Sequence, residues 1–293
     1  MIYLVDASVY VFRAYYSVPG TMSDAQGQPT NAVYGFTRFL FDVLEGAAPS
    51  HIAVAFDESL TTSFRNEIYP EYKANREPAP EELKRQFAWC RRAVETLGLT
   101  ALADERYEAD DLIGSVATCA RAEGVPCTIV TRDKDLAQLL VPGDEFYDFA
   151  GGVRYGHGDV REKFGTTPER IADFLALTGD SVDNIPGVPG IGKKTAAAIF
   201  DAYADLDAIY ADLDGLAALP VRGAKTLSKK LTENRDAAYL AQRLTRIACD
   251  APVPTELAAY ARQAPDLEAL EALFDELGFG QALRRRLSSL PAP

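Results

Sequence analysis

The sequence predicts an α/β fold, a parallel sheet flanked by helices, followed by an all-helical C-terminal region. Three observations lead there. Short β-branched or apolar runs alternate with helical patterns through roughly the first 160 residues, the pattern of strands joined by crossover helices. Beyond Gly165 the alternation stops, and apolar residues recur only at helical spacing. A Gly/Pro hairpin, Gly187-Val188-Pro189-Gly190-Ile191-Gly192, then leads into Lys193-Lys194-Thr195 and an Ala-rich helix.

Taken in order, strands are expected at Ile2–Val5, Ile52–Phe56, Leu99–Leu102, Cys127–Val130 and Glu145–Phe149. Helices are expected over Asn31–Leu44, Pro80–Leu97 and Glu108–Glu123, the last stopped by Gly124 as its C-terminal cap. Between Glu58 and Pro80 the chain is polar and basic, with Phe64, Tyr69 and Tyr72 set among charges. It reads as a partly ordered excursion over one face of the sheet, neither strand nor core. Thr167-Pro168-Glu169 starts a helix, with threonine as cap and proline in the first turn. Helices follow at Pro168–Thr178, Lys193–Tyr203, Leu206–Ala211, Gly223–Asn234 and Ala237–Ile247. Leu267–Leu277 and Gly280–Leu290 carry apolar residues at helical spacing and should pack back on the body.

With 293 residues, 47% hydrophobic and 25% charged, the chain has the composition of a soluble globular protein. No apolar run reaches the roughly 18 residues of a membrane span, and Met1-Ile2-Tyr3-Leu4-Val5-Asp6 lacks the basic flank of a signal peptide. A cytoplasmic location follows as the expectation, with Cys90, Cys119, Cys127 and Cys249 as free thiols. His51 and His157 show no ligand spacing and read as surface or turn residues; Trp89 reads as helix-face packing. The net charge of −13 argues at first against a polyanionic partner. Setting aside nine acids suited to metal ions leaves 34 acids against 30 bases. The bases are also clustered, in Arg65, Lys73, Arg76, Lys84, Arg85, Arg91, Arg92 and again in Lys193, Lys194, Arg222, Lys225, Lys229, Lys230.

The nine acids fall in a pattern. Asp6 follows the first strand, Asp57 the second, and Asp133 and Asp135 the fourth. Ligands of an open parallel sheet bind outside the carboxyl ends of its strands, so three strands deliver four aspartates to one edge. Glu108, Asp110 and Asp111 open a helix beginning at that edge, and Glu108 and Asp111 share a face by their spacing, as do Asp180 and Asp183. Singly, such residues are most often helix caps, turn residues or acids suited to the helix dipole. Their convergence is what argues for a common role. Gathered carboxylates repel by several kcal/mol unless cations neutralise them. Hard divalent ions, Mg²⁺ first and Mn²⁺ second, suit oxygen ligands. Two such ions about 4 Å apart serve hydrolysis of a phosphodiester.

These residues, Leu4-Val5-Asp6, Ala55-Phe56-Asp57, Tyr107-Glu108-Ala109-Asp110-Asp111, Thr131-Arg132-Asp133-Lys134-Asp135 and Gly179 through Thr195, closely resemble the bacterial 5′→3′ exonuclease and flap endonuclease family. The nuclease domain of bacterial DNA polymerase I belongs to it. The resemblance runs from Ile2 to about Pro254 and implies a 5′-nuclease (PIN-like) fold. It implies a nuclease domain over 1–162, with a helical arch segment at 58–92, and a helical DNA-binding region over 163–293. By the same resemblance, Asp6, Asp57, Glu108, Asp110, Asp111, Asp133, Asp135, Asp180 and Asp183 are metal ligands. Lys73 and Arg76 stand near the scissile phosphate, where positive charge offsets what develops in the transition state. Tyr72 is a candidate for stacking on a base. The hairpin at 184–195 resembles a helix–three-turn–helix motif, with Gly187, Gly190, Gly192, Lys193 and Lys194 against duplex phosphate. Carbonyls of such a hairpin are able to hold a monovalent ion such as K⁺.

The implied function is a divalent-metal-dependent 5′→3′ exonuclease or 5′-flap endonuclease. It would act as a monomer on DNA with 5′ flaps, overhangs or nicks, without sequence preference, in replication and repair. The sequence ends at Pro293 with no polymerase module, which the reading takes as a free-standing form. The alternative is a non-catalytic flap- or junction-binding protein on the same scaffold. A phosphatase-type hydrolase with Asp6 as nucleophile is disfavoured, because position 8 is Ser8 rather than a second aspartate.

Overall fold

Residues 1–58 and 62–293 are described by the structure, a computed structural model. Strands β1 (Ile2–Asp6), β2 (His51–Asp57), β3 (Thr100–Asp104), β4 (Cys127–Val130) and β5 (Glu145–Asp148) are parallel, and β6 (Val153–Gly156) runs antiparallel to β5. Their order is β3-β2-β1-β4-β5-β6. Val5 pairs with both Val54 and Val130, so β1 is central. The chain builds outward from β1 to β3, then returns to the far side of β1 to lay down β4. This reversal opens a crevice at the carboxyl ends of β1 and β4. The five parallel strands lie where the periodicity places them. The edge strand β6 escaped it, because Val153-Arg154-Tyr155-Gly156 is short, polar and half exposed.

Helix α1 (Ala7–Ser17) follows β1 directly and was also missed. Its Val, Tyr and Phe residues have modest helix propensity, yet packing on α2 (Asn31–Ala47) decides the matter: the Tyr10 ring stacks on Phe39 with centroids 3.8 Å apart. Helices α3 (Phe64–Ile68), α4 (Glu81–Thr96) and α5 (Ala109–Ala122) complete the first part. Alternation along β1 divides the core, with Tyr3 and Val5 facing α1, α2 and α4, and Ile2 and Leu4 facing α5. Residues 81–92 lie on α4, whose Leu83, Gln86 and Cys90 are fully buried. Gln86 accepts the N–H of Ala32 at 2.7 Å, joining α4 to α2.

The segment before α4 departs from expectation. Arg65 is 3% exposed and Tyr72 4%, and Tyr72 packs with Phe174 and Ile185. Arg65 and Tyr72 therefore belong to the core, whereas residues 74–78 are exposed, and the expectation for 59–61 lies outside the described residues. Beyond β6 come α6 (Val160–Phe164), α7 (Ile171–Thr178), α8 (Lys193–Ala202), α9 (Leu206–Ala211), α10 (Leu227–Glu233), α11 (Arg235–Thr245), α12 (Leu267–Glu276) and α13 (Gln281–Leu287). Phe174, Leu177, Ile199, Phe200, Leu231 and Leu244 form a separate helical core. Leu270, Leu273, Phe274 and Leu283 of the tail return to the core beside α2 and α4. Among the described residues no helix is long and apolar enough to cross a membrane, and the four cysteines are free.

Candidate active site

The crevice between β1 and β4 is lined by acids because β1 ends on Asp6 while Asp133 and Asp135 follow β4 in the next turn. Asp6, the last residue of β1, caps α1 by accepting from the N–H of Val9, and its Oδ2 accepts from the Thr131 hydroxyl at 2.8 Å. That hydroxyl also accepts the N–H of Asp133 at 2.9 Å, and Asp133 Oδ1 accepts the N–H of Asp135 at 2.9 Å. Asp57, at the end of β2, accepts the N–H of Ala109 at 2.9 Å and so fixes the start of α5. Thr131 is a site residue that sequence reasoning passed over. The signal was there: a threonine two residues before an aspartate at a strand end forms a local hydroxyl-to-backbone turn.

The acids that open α5 divide into two kinds. Asp110 faces Asp6, Asp57 and Asp133. Asp111 is fully buried and held elsewhere, accepting two hydrogen bonds from the Arg65 guanidinium at 2.7 and 2.8 Å and one each from the N–H groups of Glu108 and Ala248. Arg65 also donates to the carbonyls of Leu244 and Arg246. Asp111 is thus a structural acid tying α3, α5 and the end of α11, which corrects its expected place among the ligands. Arg65 likewise leaves the basic surface expected for its stretch.

Glu108 meets the basic turn after α3. Its Oε2 accepts from Lys73 Nζ at 2.8 Å and from the Tyr72 hydroxyl at 3.1 Å. The same hydroxyl lies 3.3 Å from Asp183 Oδ2, and Arg76 donates to Asp183 Oδ1. Tyr72 therefore bridges carboxylates from the interior, and its buried ring is not presented to a base, contrary to expectation. Two hydrogen bonds clip this turn to the 180–185 loop: the backbone N–H of Lys73 donates to the Asp183 carbonyl at 3.0 Å, and the side-chain Asn184 Nδ2 to the Glu71 carbonyl at 2.7 Å. Asp180 caps its own loop by accepting the N–H of Val182 at 2.9 Å.

Charge is unbalanced across the cluster. Burial, then Asp57 and Asp133, push the Asp6 carboxyl up to about 7. Burial with Asp133, Asp180 and Asp183 does the same to Asp135. Asp110 and Asp133 are also raised, by burial and then by neighbouring aspartates. Glu108 is the exception: burial pushes its carboxyl up, but Lys73 and Arg65 outweigh that and hold it low. Among the described residues no three acids are drawn together as a ready-made ligand group. A set of donors made up wholly of carboxylate oxygens nonetheless fits a hard divalent cation by donor chemistry. Asp6, Asp57, Glu108, Asp110, Asp133, Asp135, Asp180 and Asp183 make up that set.

The hairpin lies on the helical side of the site. Ile185, Val188 and Ile191 plug into the helical core, while Pro186, Pro189 and Gly190 between them are exposed. Its glycines serve two ends. A Cβ on Gly187 would sit 2.3 Å from the Gly179 nitrogen, so the room at Gly187 is filled by protein backbone rather than left for a phosphate. Gly190, with φ of +77°, and Gly192 are exposed, and a Cβ on Gly192 would meet nothing within 4 Å. Lys193 and Lys194 are exposed in the first turn of α8. Lys230 Nζ donates to the Gly190 carbonyl at 3.2 Å, so an ammonium stands at one of the carbonyls considered for K⁺.

Residues 1–165 match the 5′-3′ exonuclease N-terminal resolvase-like domain, and residues 166–268 the 5′-3′ exonuclease C-terminal SAM fold. The chain is 43% identical over 277 residues to DNA polymerase I of Pseudomonas aeruginosa, covering 94% of this chain and 30% of that protein. It is 40% identical over 286 residues to DNA polymerase I of Bacillus caldotenax, covering 96% and 32%. It thus spans about a third of the length of these curated relatives. Among solved structures, T5 5′-exonuclease with divalent metal ions (zinc) bound superposes with a TM-score of 0.67 at 18% identity, over 99% of this chain and 97% of that one. The catalytic core of Rad2 in complex with DNA substrate gives 0.66 at 15%, over 99% and 91%. At such identities the likeness shows the fold alone.

Proposed function

Since this chain belongs to the 5′-3′ exonuclease family, a family of phosphodiester-cleaving nucleases, we propose that it is a divalent-metal-dependent enzyme hydrolysing DNA at or near 5′ ends, 5′ flaps included. One observation carries this reading: acids ending β1 and β2, following β4, opening α5 and in the 180–185 loop face the crevice where the sheet order reverses, near enough for burial and neighbouring aspartates to raise Asp6, Asp110, Asp133 and Asp135. When bound there, Mg²⁺ or Mn²⁺ supplies a nucleophilic water near neutral pH and neutralises charge on the phosphate.

The protein's own residues hold and orient. Thr131 fixes Asp6 and Asp133 relative to each other, and Asp57 fixes α5, which carries Glu108 and Asp110. Lys73 and Arg76 lie at the acid site, where they would meet negative charge on a bound phosphate. Exposed backbone at Gly190 and Gly192, with Lys193 and Lys194, would take duplex phosphates. Such contacts read backbone and carry little sequence preference. The two parts of the chain, 1–162 and 163–293, would thus divide hydrolysis from duplex binding, acting as a monomer in replication and repair.

The test is cleavage of a 5′-flap duplex labelled at its 5′ end, in Mg²⁺. Asp133→Ala should lower turnover by at least about 10²-fold. Undiminished cleavage would remove the acid site from the mechanism.

A further inference from the structure

Lys73 was expected at a phosphate, yet it sits inside the acid cluster. We propose that Lys73 is a resident counter-ion of the divalent-cation site, holding Glu108 and Asp183 until a metal ion displaces it and frees its charge for the substrate phosphate. This rests on the nuclease reading above. The ammonium is 2.8 Å from Glu108 Oε2 and 3.9 Å from Asp183 Oδ2, and only 9% of the side chain is exposed. A charge so buried is unfavourable unless paired, so the acids are what keep it there.

The backbone is bent to deliver it. Lys73 has φ of +56°, a left-handed conformation that is unfavourable for a non-glycine residue. The bond from its N–H to the Asp183 carbonyl pins that conformation. One positive charge thus bridges the α5 acids and the 180–185 loop, seconded by Arg76 on Asp183. A divalent ion drawn to Glu108, Asp110 and Asp183 repels this ammonium at close range. The ammonium also lies 5.0 Å from the centroid of the Tyr72 ring, and rotation of its flexible four-carbon stem would carry it outward while the backbone clip stays closed. Metal entry and exposure of a phosphate-binding cation are then one event.

Mn²⁺ titration of the DNA-free protein by calorimetry tests this on the wild type, Lys73→Met and Lys73→Arg. Lys73→Met keeps the stem and loses the charge, so it should bind Mn²⁺ about tenfold more tightly, within ordinary site-to-site coupling. Lys73→Arg should stay near the wild type. Unchanged or weaker binding by Lys73→Met, or equal tightening in Lys73→Arg, would overturn the proposal. A second measurement needs no variant: reductive methylation of Lys73 in the wild type, read by mass spectrometry, should quicken severalfold from chelator to Mg²⁺, and an equal or slower rate refutes release. Neither experiment uses DNA. The nuclease reading fails separately, if the wild type leaves a flap uncut in Mg²⁺.

Discussion

Arg65 and Asp111 meet through two parallel hydrogen bonds, Nη1 to Oδ2 at 2.7 Å and Nη2 to Oδ1 at 2.8 Å, with both side chains buried. Bidentate pairing of this kind matches the planar guanidinium to the carboxylate fork. Here it anchors the helix start that carries two candidate ligands, and the guanidinium also reaches the carbonyls of Leu244 in the last turn of α11 and of Arg246 just beyond it. Removing Arg65 would leave the Asp111 charge buried and uncompensated. Arg65→Ala should lower stability by about 3–5 kcal/mol in urea unfolding. Arg65→Lys should recover little, because an ammonium cannot span both oxygens. A loss below about 1 kcal/mol would show that the pair is dispensable.

The two ends of the hairpin should respond in opposite ways to the same small change. Gly187→Ala drives a Cβ against the backbone of Thr178 and Gly179, which cannot move aside as a side chain would. A stability loss of about 1–3 kcal/mol is expected, as for other overpacked sites. Gly192→Ala points into open space and should lose only the N-cap preference for glycine, less than about 1 kcal/mol. Equal losses at both positions would contradict the division between packing and exposure.

Changing Lys193 and Lys194 together to alanine removes two exposed charges at the α8 N-terminus without touching the core. Duplex binding, followed as log K against log salt, should flatten by about two in slope, since each phosphate contact contributes close to one. An unchanged slope would exclude this turn from the interface, whatever happened to the affinity.

Much of the sheet and most helices were readable because their signals are local. Asp6, Asp57 and Asp133 could be placed at one edge once β1, β2 and β4 were recognised as parallel strands. Helix α1 was hidden, since its β-branched and aromatic residues favour helix only through contact with α2. The failures at Arg65, Tyr72 and Asp111 share a cause. A stretch of charges and aromatics reads as solvated, and the partners that bury it are 46 and 36 residues away at Asp111 and Glu108, or 111 away at Asp183. One clue to Asp111 was available: three residues after the cap Glu108, it occupies the reciprocal position of a capping box, where the side chain turns back to the backbone. Gly187 and Gly192 look alike in sequence, and only packing distinguishes them.

The return of α12 and α13 to the core beside α2 and α4 separates two boundaries that are easily equated. The stretch matched by the family domains stops at residue 268, whereas Leu270, Leu273, Phe274, Leu277 and Leu283 lie beyond it and are almost wholly buried. Trimming the chain where those domain matches stop would strip a greasy lid from the nuclease half and leave α2 and α4 wet. The smallest excisable piece that keeps its shape is therefore longer than the piece those two domain matches mark out.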